Sequence, residues 1–209
     1  MVIMGIDPSF KHLAFSLYDG NEDIYIDLSS YDLGQNVGFE KVFNASISLW
    51  EQFKLRLDAI GVGRSIFIDK VISEVPPPVG QFSAGLFALD VYILKSLFSE
   101  YRSISEIYVV PASYLSMVHG TSKYKKSDST ALANYFINEV FDGRYNIKIP
   151  DVVSFNGRKL KGRLNNDRAE SFLFLLRMMC KYNIDGYGDR IMSEMSGLGN
   201  NSEKLLISR

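Results

Sequence analysis

Apolar and polar positions alternate in short blocks at the start of the chain and lengthen into helical stripes further on. Val2-Ile3-Met4-Gly5-Ile6 is a nearly continuous apolar run, the pattern of a strand buried on both faces, and it delivers Asp7 at its C-terminal end. A Pro8-Ser9 turn follows, Leu13 to Tyr18 returns as a second strand, and Ile24-Tyr25-Ile26-Asp27-Leu28 alternates as a third. Phe39, Phe43, Ile47, Trp50, Phe53, Leu57 and Ile60 recur at intervals of three and four, which predicts an amphipathic helix over 39–60, ended by Gly61 and Gly63. Trp50 lies on that stripe, so its expected task is packing. Ser65 to Glu74 reads as a fourth strand ending in a second carboxylate, which Pro76, Pro77 and Pro78 prevent from continuing. Two interleaved stripes from Gln81 to Phe98 predict a helix buried nearly all round. Ile107 to Val110 is a fifth strand, halted by Pro111. A helix capped by Ser127 or Asp128 runs to about Val140 on the stripe Leu132, Phe136 and Val140. Val152 to Phe155 followed by Asn156-Gly157 is a hairpin signal, and the last helix spans 165–179.

This order predicts an α/β fold with a five-stranded mixed sheet flanked by helices. In such sheets ligands sit outside the carboxyl ends of the strands, the edge to which Asp7 and Glu74 are assigned. After Tyr182 the chain turns to Gly, Ser, Asn and charge, so residues 1–182 are expected to form one domain and 183–209 a loosely packed tail. Within that tail a short helix is expected near Asp189 to Met195.

With 209 residues and 46% hydrophobic content, one sizeable core is expected. The net charge of -1 gives the whole molecule no pull toward nucleic acid, but basic residues cluster locally. Lys123, Lys125 and Lys126 precede a helix N-terminus, a place that favours phosphate. Arg158, Lys159, Lys161 and Arg163, with Arg168 nearby, follow the hairpin turn and suit a grip on a phosphate backbone. A solvated loop and a charge-protected edge are the plainer accounts of the two clusters. Cys180 is the only cysteine, which excludes an internal disulfide framework and a cysteine zinc site. No signal-peptide pattern and no run of roughly 18 apolar residues is seen, so a soluble protein of the cytoplasm without a membrane partner is expected.

Four carboxylates carry the candidate chemistry. Asp7 and Glu74 end strands, and Asp167 and Glu170 stand three apart at the start of the last helix, as neighbours on one face. Turn amides would explain Asp7 and the helix dipole would explain the helical pair, each taken alone. Converging, four acids repel on the order of several kcal/mol unless cations neutralise them. Oxygen ligands without Cys or His suit magnesium or manganese, and two such ions about 4 Å apart form the usual clamp for phosphodiester hydrolysis.

Gly5-Ile6-Asp7-Pro8, Glu74 and Asp167-Arg168-Ala169-Glu170 resemble the RuvC family of Holliday-junction resolvases, its viral members included, over roughly residues 1 to 180. Ser83-Ala84-Gly85 and the basic lead into Ser127 fit the same order. The resemblance implies an RNase H-like fold and a homodimer with two active sites facing one four-way DNA junction. It also implies paired nicks that depend on two Mg2+ ions per site, with Mn2+ able to substitute. It makes Asp7, Glu74, Asp167 and Glu170 the metal ligands and Lys125 or Lys126 a phosphate contact near the scissile bond, so Lys126 joins the catalytic set. Ser9, Lys123, Lys125, Lys126, Arg158, Lys159, Lys161 and Arg163 are the expected DNA contacts. Ser9 stands where the family has glycine, Glu170 where Asp is common, and Pro76 to Pro78 where bacterial members carry a wedging aromatic, a task left to Phe82 or Tyr124. Rival readings are a branched-DNA or RNA-DNA hybrid nuclease of the same fold, a nucleic-acid-binding module without catalysis, and an actin-like ATPase. The last needs two similar halves and a second Gly-rich hairpin, and neither is found.

Overall fold

A computed structural model describes residues 1–9, 11–32, 39–75, 80–111, 126–153, 157, 159–186 and 188. The opening run forms β1 (Ile3–Pro8), which pairs antiparallel with β2 (His12–Tyr18), and β2 pairs antiparallel with β3 (Asp23–Ser30). After helix α1 (Phe39–Ala59), β4 (Lys70–Glu74) returns parallel to β1 on its free side. Helix α2 (Gly80–Glu100) then leads to β5 (Glu106–Val110), parallel to β4. With β6 (Asn146–Lys148) parallel to β3, the sheet reads β5-β4-β1-β2-β3-β6, and β2 alone runs against the rest. A three-stranded meander with two parallel strands added beside its first member is the RNase H-like arrangement.

Each face of β1 meets a different core. Met4 and Ile6 pack with Phe15, Leu17 and Val71 against Leu49, Phe53, Leu89, Ile93 and Leu97 of α1 and α2. Ile3 and Ile72 face the opposite layer, where helix α3 (Lys126–Tyr135) and helix α4 (Asn166–Lys181) contribute Ala133, Phe172 and Leu175. Gly5 makes that layer possible. A Cβ built on it would lie 2.3 Å from the Ser171 carbonyl oxygen and 2.6 Å from the Leu175 nitrogen, so α4 crosses β1 closer than any side chain permits. Ser16 and Ser171 hydroxyls meet at 2.9 Å at the crossing.

Three expectations are corrected. The sheet has six strands, because the three residues of β6 extend it beyond β3. The fourth strand starts at Lys70 rather than at Ser65, since Ser65 and Ile66 bond back to the Gly61 carbonyl and leave Phe67 exposed. The helix from 126 leaves α geometry at Phe136 and makes a π-helical turn to Val140, closed by the Phe141 amide on the Phe136 carbonyl at 2.9 Å. That wider turn directs Phe136, Val140 and Phe141 together into the core. The two apolar helices α1 and α2 match the expected spans to within two residues. At the start of the tail, the Tyr145 hydroxyl donates to Asp185 at 2.8 Å. The helix expected near Asp189 lies outside the described residues, as do Pro76 to Pro78. Among the described residues no helix is long and apolar enough to cross a membrane.

Candidate active site at the carboxyl edge of the sheet

Strand register joins the first two acids. β1 and β4 pair from Ile3 with Lys70 to Ile6 with Ser73, and one further step sets Asp7 beside Glu74. Ile3 and Gly5 of β1 and Ile72 of β4 face α4, so two-residue alternation turns Asp7 and Glu74 to that same face. Asp7 is nearly buried, at 7% exposure, and stands across from Ala14 of β2. The turn beyond it is drawn tight by Ser9, whose amide and hydroxyl both donate to the His12 carbonyl, at 2.7 and 3.0 Å. Ser9 Oγ accepts in turn from the His12 amide at 3.0 Å, so the hydroxyl expected on DNA is engaged within the turn.

The second pair comes from α4. Asn165 caps the helix in extended geometry, its side chain accepting from the Arg168 amide at 3.1 Å. Asp167, one residue into the helix, approaches His12 of β2 with Oδ2 2.5 Å from Nδ1. Glu170, 3% exposed, accepts from the Ser129 hydroxyl at 3.3 Å, and the Thr130 hydroxyl donates to Asn166 at 3.0 Å. The first turns of α3 and α4 therefore lie against each other, and Lys126 opens α3 one turn before those contacts. Lys123, Tyr124 and Lys125 lie outside the described residues, as do the side chains of Lys126 and Phe82.

Beside the acids stands a basic ribbon. β7 (Val152–Val153) pairs antiparallel with β8 (Lys159–Leu160), and Val152 packs with Ala14 and Leu28, with Leu160 against them. Since Ala14 is the cross-strand neighbour of Asp7, the ribbon is rooted next to the acid edge. Lys159, Lys161 and Arg163 are exposed, while Arg158 and Asn156 lie outside the described residues. Arg168 does not belong to this exposed cluster, contrary to the sequence-based grouping. It is fully buried, donating to the carbonyls of Arg163 at 3.0 Å and Pro150 at 2.7 Å, with Asp27 3.5 Å away. Arg56 donates to the same Asp27 at 2.9 Å. The guanidinium thereby ties both stems of the ribbon to the sheet, a use of its fork that a solvent-facing cation would not have.

The chain matches no protein-family model, and no curated protein matches it. Among solved structures it is similar to the yeast mitochondrial Holliday junction resolvase Ydc2, at 14% identity and a TM-score of 0.47, over 83% of this chain and 75% of that one. It is also similar to RuvC of Thermus thermophilus, at 13% identity and a TM-score of 0.42, over 98% and 99% of the two chains. The same bacterium's RuvC in complex with a Holliday junction substrate aligns at 14% identity and a TM-score of 0.45, over 84% and 91%.

The side chains proposed as donors are carboxylates, whose oxygens are the type that hard divalent cations take. Among the described residues no three His, Cys, Asp or Glu side chains stand together as a ready metal site. Two carboxyl groups have oxygens left without a hydrogen bond among the described residues. Asp167 Oδ1 accepts no hydrogen bond among the described residues, and among them a further carboxyl, Asp90 of α2, is fully buried with neither oxygen bonded. Burial, then the charge of Glu74, pushes Asp90 up from 3.8 to about 9. Neither Asp90 nor His12 was singled out from the sequence. The available signal for Asp90 was an acid inside a helix otherwise apolar nearly all round. For His12 it was a lone imidazole directly after the turn that leaves Asp7.

Proposed function

We propose that this chain is a metal-dependent endonuclease that resolves four-way DNA junctions by paired nicks. The observation that carries the reading is the register setting Asp7 beside Glu74 at the carboxyl ends of parallel strands, on the face where α4 begins with Asp167 and Glu170. Asp7, Glu74, Asp167 and Glu170 would hold two Mg2+ ions, for which Mn2+ substitutes. Bound there, the ions supply activation of water and neutralisation of charge on the leaving oxygen. The protein's own share is to hold and orient. Lys126 contacts phosphate near the scissile bond, with Lys123 and Lys125 just ahead of it. Lys159, Lys161 and Arg163 on the ribbon, with Arg158, grip the phosphate backbone beside the acids, and Ser9 shapes the turn against the strand being cut. Residues 1–182 form the catalytic unit, 183–209 are an appendage, and two copies act together so that both continuous strands of a junction are nicked.

The test is cleavage of end-labelled four-way junctions, forks and RNA-DNA hybrids in Mg2+, alongside Asp7→Asn and Glu74→Gln. Symmetric nicks confined to the junction, abolished by either substitution while junction binding persists or tightens, are expected, because removing an acid relieves its repulsion of phosphate. Equal cutting of forks or hybrids would favour the broader nuclease. Undiminished cutting by the variants would remove the carboxylates from the chemistry.

A further inference from the structure

Asp167 uses its two carboxylate oxygens differently. Oδ2 lies 2.5 Å from His12 Nδ1 and accepts from the Asn165 side-chain amide at 3.3 Å, while Oδ1 accepts no hydrogen bond among the described residues. Both members of the His12–Asp167 pair are largely shielded, with side chains 14% and 18% exposed. The residue that carries the imidazole is fixed through its backbone. His12 begins β2, pairs with Ser30 of β3, and is tied through its carbonyl and amide to the Ser9 turn that follows Asp7. One short segment thus carries Asp7 at its start and, at its end, the side chain that reaches Asp167 on a helix 155 positions later.

We propose that His12 is a positioning residue of the candidate metal site, its Nδ1–H holding Asp167 Oδ2 so that Oδ1 is presented to the cation. The inference rests on the function proposed above. A free carboxylate samples two side-chain torsions, and a ligand that must be ordered at the moment of binding gives up that freedom, whereas one already held by a neighbour does not. Groups that orient metal ligands in this way typically change metal affinity or activity by about 10–100-fold when removed. Anchoring α4 does not need this contact, since Phe172, Phe174, Leu175 and Met179 bury its apolar face and Ser171 bonds Ser16.

The experiment is Mn2+ titration of the full chain by calorimetry, without DNA, on wild type, His12→Leu, His12→Asn and His12→Gln, with Asp7→Asn as reference. Asn sets its amide nitrogen about where Nδ1 stands, and Gln sets it nearer Nε2. His12→Leu and His12→Gln are expected to weaken Mn2+ binding about 10–100-fold and to raise the Mg2+ needed for half-maximal nicking by a similar factor. His12→Asn should recover most of the loss, and junction binding in EDTA should be the same for the wild type and the three His12 variants. Should His12→Leu not fold, the contrast between Asn and Gln carries the test. Mn2+ binding that depends on Asp7 but is indifferent to His12 overturns this inference alone. A wild-type chain that binds no Mn2+ overturns the function reading and the inference with it.

Discussion

At the scale of single residues, the acids that sequence exposes best are those whose neighbours are apolar. Asp7 and Glu74 could be placed at strand ends because each closes a run of strand pattern, and Asp167 with Glu170 at a helix start because helical spacing makes them neighbours. Asp90 was hidden by the same reasoning, since one acid in an apolar helix is indistinguishable from a solvated position until burial is known. Its titration makes a separate prediction. The native state keeps a proton on Asp90 up to about 9, whereas the unfolded chain releases it near 3.8, so stability falls as pH rises through that window. Asp90→Asn, compared with wild type by urea unfolding in EDTA from pH 5 to 8, should be the more stable protein. The gap should widen by up to about 1.4 kcal/mol per pH unit, and a gap that stayed constant would mean that Asp90 is ionised in the folded protein.

At the scale of elements, strands and helices with a continuous apolar face were read nearly to their ends, while short elements were not. β6 has three residues and owes its pairing to β3 rather than to any pattern of its own, and Ser65 to Ile68 looked like a strand until Gly61 claimed the amides of Ser65 and Ile66. The ribbon was legible from Asn156-Gly157, yet its anchor was not, because Arg168 reads as one more surface cation when the carbonyls of Pro150 and Arg163 are unknown. The ribbon packs on Ala14, the cross-strand neighbour of Asp7, and the proposed function assigns its exposed Lys159, Lys161 and Arg163 to phosphate. Replacing the three by Ala should weaken junction binding at 50 mM salt and reduce the slope of log affinity against log salt by roughly one for each phosphate left without its cation. A slope equal to the wild type's would mean that the ribbon stays clear of DNA.

For the whole molecule, the decisive fact is topological. Asp7 and Asp167 are separated by most of the chain, and the elements that carry them, β1 and α4, cross at Gly5, where the Ser171 carbonyl fills the space that a side chain would need. The meander and the two strands after it were legible from their apolar runs, whereas their order across the sheet is seen only in the fold. The small distances that decide which atoms meet, such as His12 on Asp167, depend on side-chain packing that no periodicity encodes. The central claim is that the gathered acids exist to share divalent cations. Anomalous diffraction from crystals soaked in manganese tests it directly: density bounded by Asp7, Glu74, Asp167 and Glu170 is predicted, and a fully loaded crystal with manganese only elsewhere on the surface would contradict it.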